Sequence, residues 1–153
     1  MNLDQLSALL VKCSRCPLRE SASAPVPGLG NPNARYLLIG EAPGVNEDRV
    51  GMPFVGTSGK RLNRLLALAK IDVNDCYLTN VCRCLPPRVK GKIRAPRKTE
   101  RLLCYPWLKA ELSIVKPQIV IPLGAVPLSL FTDVGVKQLH GTQFEYELEV
   151  DDA

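Results

Sequence analysis

The sequence contains no long apolar run and no leader-like N-terminus. No apolar stretch approaches the roughly 20 residues that a helix needs to cross a bilayer, which argues against a membrane-spanning segment. Residues 1–5 show no basic region followed by an apolar stretch, so we expect no secretory signal peptide. We therefore predict a cytoplasmic protein without a membrane partner, in a compartment where disulfides are rare.

Histidine is nearly absent, with His140 the single example, whereas the chain has six cysteines. A disulfide framework is one interpretation, but metal ligands or buried thiols suit a cytoplasmic protein better. Cys13 and Cys16 form a C-x2-C pair, Cys84 follows a predicted strand, and Cys104 lies at the far end of a basic stretch. Thiolates gathered from distant parts of a chain indicate a metal ion or an iron–sulfur cluster. A tetrahedral zinc site is the competing interpretation.

The length and the hydrophobic pattern predict one domain over residues 1–153. Apolar runs and alternation predict strands, and leucines at helical spacing predict helices, one of which Pro106 should break or kink. The predicted strands are 36–39, 76–81, 118–123 and 144–150, and the predicted helices are 2–12, 58–70, 102–112 and 124–131. Strands separated by helices indicate an α/β fold, a three-layer domain with a mainly parallel central sheet and helices on both faces.

Small or polar residues follow the predicted strands where each of them ends. Three such ends are Gly40-Glu41, Thr79-Asn80 and Leu123-Gly124. In sheets of this kind, ligands bind at the carboxyl ends of the strands. The glycine-rich segment 40–44 also indicates that backbone approaches another group closely. The sequence therefore predicts a pocket at this edge of the sheet.

Positive charge is concentrated between the last two of the separated cysteines. The net charge is +5, and residues 88–101 carry seven lysines and arginines against one acid, Glu100. A cluster of this kind attracts a polyanion and is typical of nucleic-acid binding. A solvated, mobile loop is the other interpretation, but candidate ligands at both ends of the segment would fix it, which favours binding.

Several short motifs occur along the chain in a fixed order. They are Cys13-Ser14-Arg15-Cys16-Pro17-Leu18, Gly40-Glu41-Ala42-Pro43-Gly44, Gly51-Met52-Pro53-Phe54-Val55-Gly56, Leu78-Thr79-Asn80-Val81, Cys84-Leu85-Pro86-Pro87 and Cys104-Tyr105-Pro106-Trp107-Leu108. In this combination, from about residue 10 to about residue 146, the chain resembles the family 4 uracil-DNA glycosylases. These are the iron–sulfur branch of the uracil-DNA glycosylase superfamily.

The resemblance implies a DNA-repair enzyme that hydrolyses the N-glycosidic bond of deoxyuridine in uracil-containing DNA. We expect it to be a monomer. The base would be flipped out of the DNA helix into a pocket. There Phe54 would stack on its face and Asn80 would recognise its edge. The resemblance also places Asn80 among the catalytic residues. An acid, Glu41 or Glu47, would orient the attacking water and offset positive charge on the sugar. The remaining pocket residues implied by the resemblance are Gly40, Ala42, Pro43 and Gly44.

The resemblance also assigns a 4Fe–4S cluster, held by thiolates. Its ligands would be Cys13, Cys16, Cys84 and Cys104. Cys82 would point to the same side of a strand as Cys84, so periodicity leaves both open. The family pattern, with its ligand just ahead of a Pro-Pro pair, favours Cys84.

Contacts with DNA are expected at two places. Backbone N–H groups around Ser58, at a predicted helix start, could bind a phosphate. The basic stretch supplies Arg94, Arg97 and Lys98.

Two features depart from the family pattern. The segment between Cys84 and Cys104 is longer than usual, and Ile93 lies near the place where a covalently acting relative has a histidine, so we expect no covalent capture of the sugar. The chain also ends, at Ala153, before the family's His-Pro motif, and His140 is not its equivalent. This suggests a domain truncated at its C-terminus, with activity weak or lost. The alternative function is a non-catalytic iron–sulfur protein that binds DNA or a protein partner.

Overall fold

A four-stranded sheet forms the centre of the computed structural model, which describes residues 1–147. In chain order its strands are β1 (Leu29–Gly30), β2 (Tyr36–Gly40), β3 (Cys76–Asn80) and, after a separate hairpin, β6 (Ile119–Pro122). The hairpin consists of β4 (Arg88–Val89) and β5 (Lys92–Ile93). The spatial order is β1-β3-β2-β6, with β2 parallel to both β3 and β6 and β1 antiparallel to β3.

Helices connect and cover these strands. They are α1 (Leu3–Leu10), α2 (Leu18–Ser21), α3 (Val45–Val50), α4 (Thr57–Leu68), α5 (Lys98–Val115), α6 (Ala125–Leu128) and α7 (Val136–Leu139), with a 3-10 turn at Val73–Asp75. The helix is not broken at Pro106, since α5 continues through this proline as one helix. No helix within residues 1–147 is both long and apolar enough to cross a membrane.

The two faces of the sheet are covered by different helices, because successive side chains of a strand point to opposite faces. On one face, Leu37 and Tyr77 pack in a cluster with Leu108 and Leu112 of α5. On the other face, Leu38 and Cys76 pack with Leu62 and Leu66 of α4. The predicted three-layer α/β architecture with a mainly parallel sheet is therefore confirmed.

The predicted strands before residue 124 are all present, and the later predictions are less accurate. The helix expected over 124–131 is reduced to α6, a single turn. The edge strand expected over 144–150 is absent from residues 144–147, and the rest of it lies outside the described residues. The sequence did not predict β1 or the β4–β5 hairpin, since strands of two residues are too short to show a period.

Candidate active site and thiol cavity

Gly40, Phe54 and Asn80 meet at the carboxyl ends of β2 and β3. Gly40 and Asn80 are direct neighbours in the parallel ladder. A Cβ atom built on Gly40 would collide with Oδ1 of Asn80 and lie 2.8 Å from Cζ of Phe54. The missing side chain of Gly40 therefore lets the Asn80 amide and the Phe54 ring approach the same point. We call this group, with Glu41, the strand-end site.

Asn80 is a largely buried residue, 5% exposed, and within residues 1–147 no hydrogen bond engages its amide. Its amide atoms are not fully buried, because the one such atom without a partner in the described residues belongs to Arg83. The Asn80 amide therefore offers a donor and an acceptor that a ligand can reach. The neighbouring Glu41 side chain is exposed and likewise makes no hydrogen bond within the described residues. The backbone beneath is fixed, because the carbonyls of Gly40 and Glu41 accept from the N–H groups of Val81 and Cys82 at 2.9 and 3.0 Å.

Phe54 has a left-handed backbone, with φ of 54°. This conformation is rare for a bulky residue and costs about 1–3 kcal/mol. It is held by tight packing on the first turn of α4, where a Cβ on Gly59 would overlap the Phe54 carbonyl. The ring also packs against the α4 side of the core, so Phe54 is half-buried between core and site.

Glu47 holds the glycine-rich loop to the segment that carries Phe54. Its carboxylate accepts from the backbone N–H groups of Gly44, Val55 and Gly56, at 3.1, 2.9 and 2.6 Å. Both carboxylate oxygens are thereby engaged in joining two loops. Glu47 therefore joins the two loops, whereas the Glu41 side chain makes no hydrogen bond within residues 1–147.

The four separated cysteines line one cavity, which opens partly to solvent. We call it the thiol cavity, and its sulfur-bearing residues are Cys13, Cys16, Cys84 and Cys104, all of them free thiols. The expected convergence of three remote segments is therefore present. The thiols surround a space instead of meeting at one point: within residues 1–147, no three or more His, Cys, Asp or Glu side chains are grouped closely enough to hold a metal ion.

The structure separates Cys84 from its neighbour Cys82. Cys84 lines the thiol cavity, whereas Cys82 is fully buried and does not line it. Interaction with the neighbouring Cys82 thiol lowers the pKa of Cys104, against the opposing effect of burial. Burial instead raises the pKa of Cys84 to about 12, with a further contribution from the negative charge of Cys104. Of the two open candidates, Cys84 is the one placed to act as a ligand.

Positively charged side chains border the same cavity, among them Arg15, Arg19 and Arg83. The Trp107 indole N–H donates to the Cys13 sulfur at 3.3 Å. The Arg15 guanidinium lies 5.0 Å from the centre of the Trp107 ring, within cation–π distance. The surroundings of the thiols therefore favour a negatively charged occupant.

A buried charge network, absent from the sequence-based expectations, connects the sheet to this cavity. Glu111 of α5 accepts from both terminal nitrogens of Arg83, one of them at 2.7 Å. It also accepts from the hydroxyls of Tyr77 and Thr79, at 3.0 and 2.7 Å. Arg83 and Glu111 are each 2% exposed. Burial alone would lower the pKa of Arg83, but the charge and hydrogen bonds of Glu111 raise it, so the arginine is charged.

The expected DNA contacts fall into two groups. Arg94 forms a two-point ion pair with the buried Glu100, at 2.7 and 3.0 Å, so its guanidinium is engaged within the protein. The hydrogen bond from Arg94 lowers the pKa of Glu100, against the opposing effect of burial. Arg97, Lys98 and Ser58 are exposed, Arg97 and Lys98 at the start of α5 and Ser58 in the first turn of α4. These three side chains are accessible to a phosphate backbone.

Comparisons with known proteins agree with this geometry. The model of the Uracil DNA glycosylase superfamily matches residues 27–149. A type-4 uracil-DNA glycosylase of Thermotoga maritima is 35% identical over 147 residues, which are 94% of this chain and 74% of that protein. Type-4 uracil-DNA glycosylases of Saccharolobus solfataricus and Pyrobaculum aerophilum are 39% and 36% identical, over 89% and 82% of this chain. The chain spans 62% of the length of each of these two relatives. The chain therefore belongs to the uracil-DNA glycosylase superfamily.

Proposed function

We propose that this chain is a uracil-DNA glycosylase that hydrolyses the N-glycosidic bond of deoxyuridine in DNA. The observation that carries the proposal is the meeting of the Asn80 amide and the Phe54 ring over Gly40. An aromatic face and an unpaired amide at one point can bind a flat base with a polar edge. Membership of the superfamily makes uracil the base of first choice.

Recognition of the base is assigned to two side chains. The base, once out of the DNA stack, lies with its face on Phe54 and its polar edge on the amide of Asn80. The carboxamide offers a donor and an acceptor side by side, which is what the alternating N–H and C=O groups of uracil require. The amide has no protein partner within the described residues, so a base with an unsuitable edge would cover it and leave it unpaired, and that is costly.

Hydrolysis is assigned to a water molecule at the glycine-rich loop, which is formed by residues 40–44. The C1′–N1 bond breaks and its electron pair leaves with uracil, while the oxygen of the water bonds to C1′ of the sugar. The attacking water loses a proton to the solvent, and the departing uracil anion takes up a proton from the solvent, which balances the step. Glu41 orients this water and offsets the positive charge that develops on the sugar. Its side chain is free for the task, whereas the carboxylate of Glu47 is engaged with three backbone N–H groups.

A 4Fe–4S cluster in the thiol cavity is part of the proposal. The ligands would be Cys13, Cys16, Cys84 and Cys104, which line one cavity as free thiols beside positive charge. Four thiolates are the ligand set of such a cluster. Once bound, it would supply a rigid link between the N-terminal segment, the end of β3 and α5.

DNA is expected to bind on the side of the molecule that carries the exposed basic residues. Arg97, Lys98 and Ser58 are the proposed phosphate contacts, and the exposed β4–β5 hairpin adds Arg88 and Lys90. Arg94 is left out of this set because of its ion pair with Glu100.

The test is release of free uracil from a deoxyuridine-containing oligonucleotide. We expect release by the wild type and by Glu145→Gln, a control at an exposed carboxylate, and loss of most activity in Asn80→Ala and Glu41→Gln. If the wild type and both site variants are equally inactive, the catalytic proposal fails. Salt-sensitive DNA binding without release would instead favour the non-catalytic alternative.

A further inference from the structure

Arg83 contains a buried polar atom without a hydrogen-bond partner. Within residues 1–147, its Nε is the one buried side-chain nitrogen or oxygen with no partner. Leaving a buried donor unpaired is expensive, and the cost is larger for a charged group. An atom of this kind calls for an explanation in terms of a group that it meets in the working protein.

The rest of the guanidinium is fixed. Both terminal nitrogens donate to Glu111, which is itself held by the hydroxyls of Tyr77 and Thr79. A guanidinium is planar and rigid, so engaging its two terminal nitrogens also sets the direction of Nε–H. Arg83 therefore cannot turn to find another partner without breaking the network.

Arg83 also borders the thiol cavity. It follows Cys82 and precedes Cys84, and it belongs to the lining together with the four thiols. The rest of the lining consists of three apolar residues, Leu18, Pro25 and Leu103, and of two further arginines, Arg15 and Arg19.

We propose that Arg83 is a positioning residue for the cluster, with Glu111 orienting its guanidinium so that Nε–H donates to a cluster or cysteine sulfur. This inference rests on the iron–sulfur cluster of the proposed function. A cluster held by four thiolates carries net negative charge, and its sulfurs accept hydrogen bonds. The charge of Arg83 is already paired with Glu111, so what it would offer the cluster is the unpaired Nε–H. Hydrogen bonds to the sulfurs and the local charge set the reduction potential of such clusters.

The experiment compares wild-type protein with two variants, all loaded with iron and sulfide without oxygen. Arg83→Lys keeps the charge but loses Nε–H. The double variant Arg83→Met/Glu111→Leu replaces the buried pair with apolar side chains of similar size, a change that proteins often tolerate. Arg61→Lys, at an exposed position on α4, is the matched control. The readouts are iron and sulfide per chain, the rate of cluster loss to a chelator, and the midpoint potential, with thermal unfolding as the check of folding.

In both Arg83 variants we expect cluster loss to be faster by about tenfold or more, the usual effect of removing a group that supports a metal ligand. The midpoint potential should shift to more negative values, because the reduced cluster carries more negative charge and is no longer stabilised by the Nε–H donor. With ¹⁵N-arginine, the reduced wild-type cluster should show a nitrogen coupling in pulsed EPR that Arg83→Lys lacks.

Two results would overturn the inference, and they are distinguishable. Wild-type protein that binds no iron and sulfide would refute the cluster, and the role of Arg83 with it. A loaded wild type with Arg83 variants that match Arg61→Lys in chelator rate, potential and EPR would refute the role of Arg83 alone.

Discussion

Replacing Gly40 with alanine inserts a methyl group between the two side chains proposed to hold the base. The new Cβ would overlap Oδ1 of Asn80 and lie 2.8 Å from Cζ of Phe54. Neither contact can be kept, because Cβ atoms essentially never approach other heavy atoms closer than 3.0 Å. The Asn80 amide and the Phe54 ring must therefore both move, although Gly40→Ala removes no group that contacts uracil.

The size of the effect follows from the distances. Moving the two side chains apart to ordinary contact distance requires about 1 Å, and a misplacement of this size can lower a rate by about 100-fold. We therefore expect kcat/KM for uracil release to fall by about that factor. The overpacking itself should lower the free energy of unfolding by about 1–3 kcal/mol, which a stable domain can tolerate.

The assay is a double-mutant cycle on uracil release, with Gly40→Ala, Asn80→Ala and the double variant. If the methyl group acts by displacing the amide, its effect should be clearly smaller once Asn80 is already alanine. Gly135→Ala is the control, since the nearest atom to its new Cβ is 3.6 Å away and φ is −73°. Full activity of Gly40→Ala, or strictly additive losses in the cycle, would refute the reasoning.

Three further predictions concern the surroundings of the site. Glu111→Gln should lower the free energy of unfolding by about 3–5 kcal/mol in denaturant titrations, because it breaks a buried ion pair; an unchanged midpoint would contradict this. Neutralising Arg97 and Lys98 to glutamine should weaken DNA binding and reduce its salt slope by about one for each residue, and an unchanged slope would exclude them as phosphate contacts. Cys84→Ser should lose bound iron after anaerobic loading while Cys82→Ser retains it; the reverse would exchange their roles.

The central strands were predictable because they combine two strong signals. Residues 36–39 form an apolar run that ends at Gly40, and the apolar residues 76–78 are followed by Thr79 and Asn80; this is the pattern of buried parallel strands. Parallel strands bring their carboxyl ends to one edge, so the presence of Gly40 and Asn80 at that edge followed from the sequence. Their direct pairing in the ladder is a finding of the structure. The approach of Phe54 to that edge was implied by the family resemblance alone. Phe54 lies in a loop and has a left-handed backbone, so no helical or strand periodicity could place its side chain.

Contacts between distant polar residues were not predictable. Arg83 and Glu111 lie 28 positions apart, and each is common on exposed surfaces, so composition gives no sign that they form a buried pair. The sequence likewise gave no sign that Arg94 pairs with Glu100, and Arg94 was therefore grouped with the residues expected to bind DNA. In Glu47 the residue type suggested chemistry, whereas its three backbone partners indicate a role in positioning the loop.

The most direct test of the base-binding site is a crystal structure of the protein soaked with uracil. Our account predicts the ring stacked on Phe54, with its polar edge within hydrogen-bond distance of the Asn80 amide. Uracil bound elsewhere, or a strand-end site whose Asn80 amide turns away from it, would contradict the account.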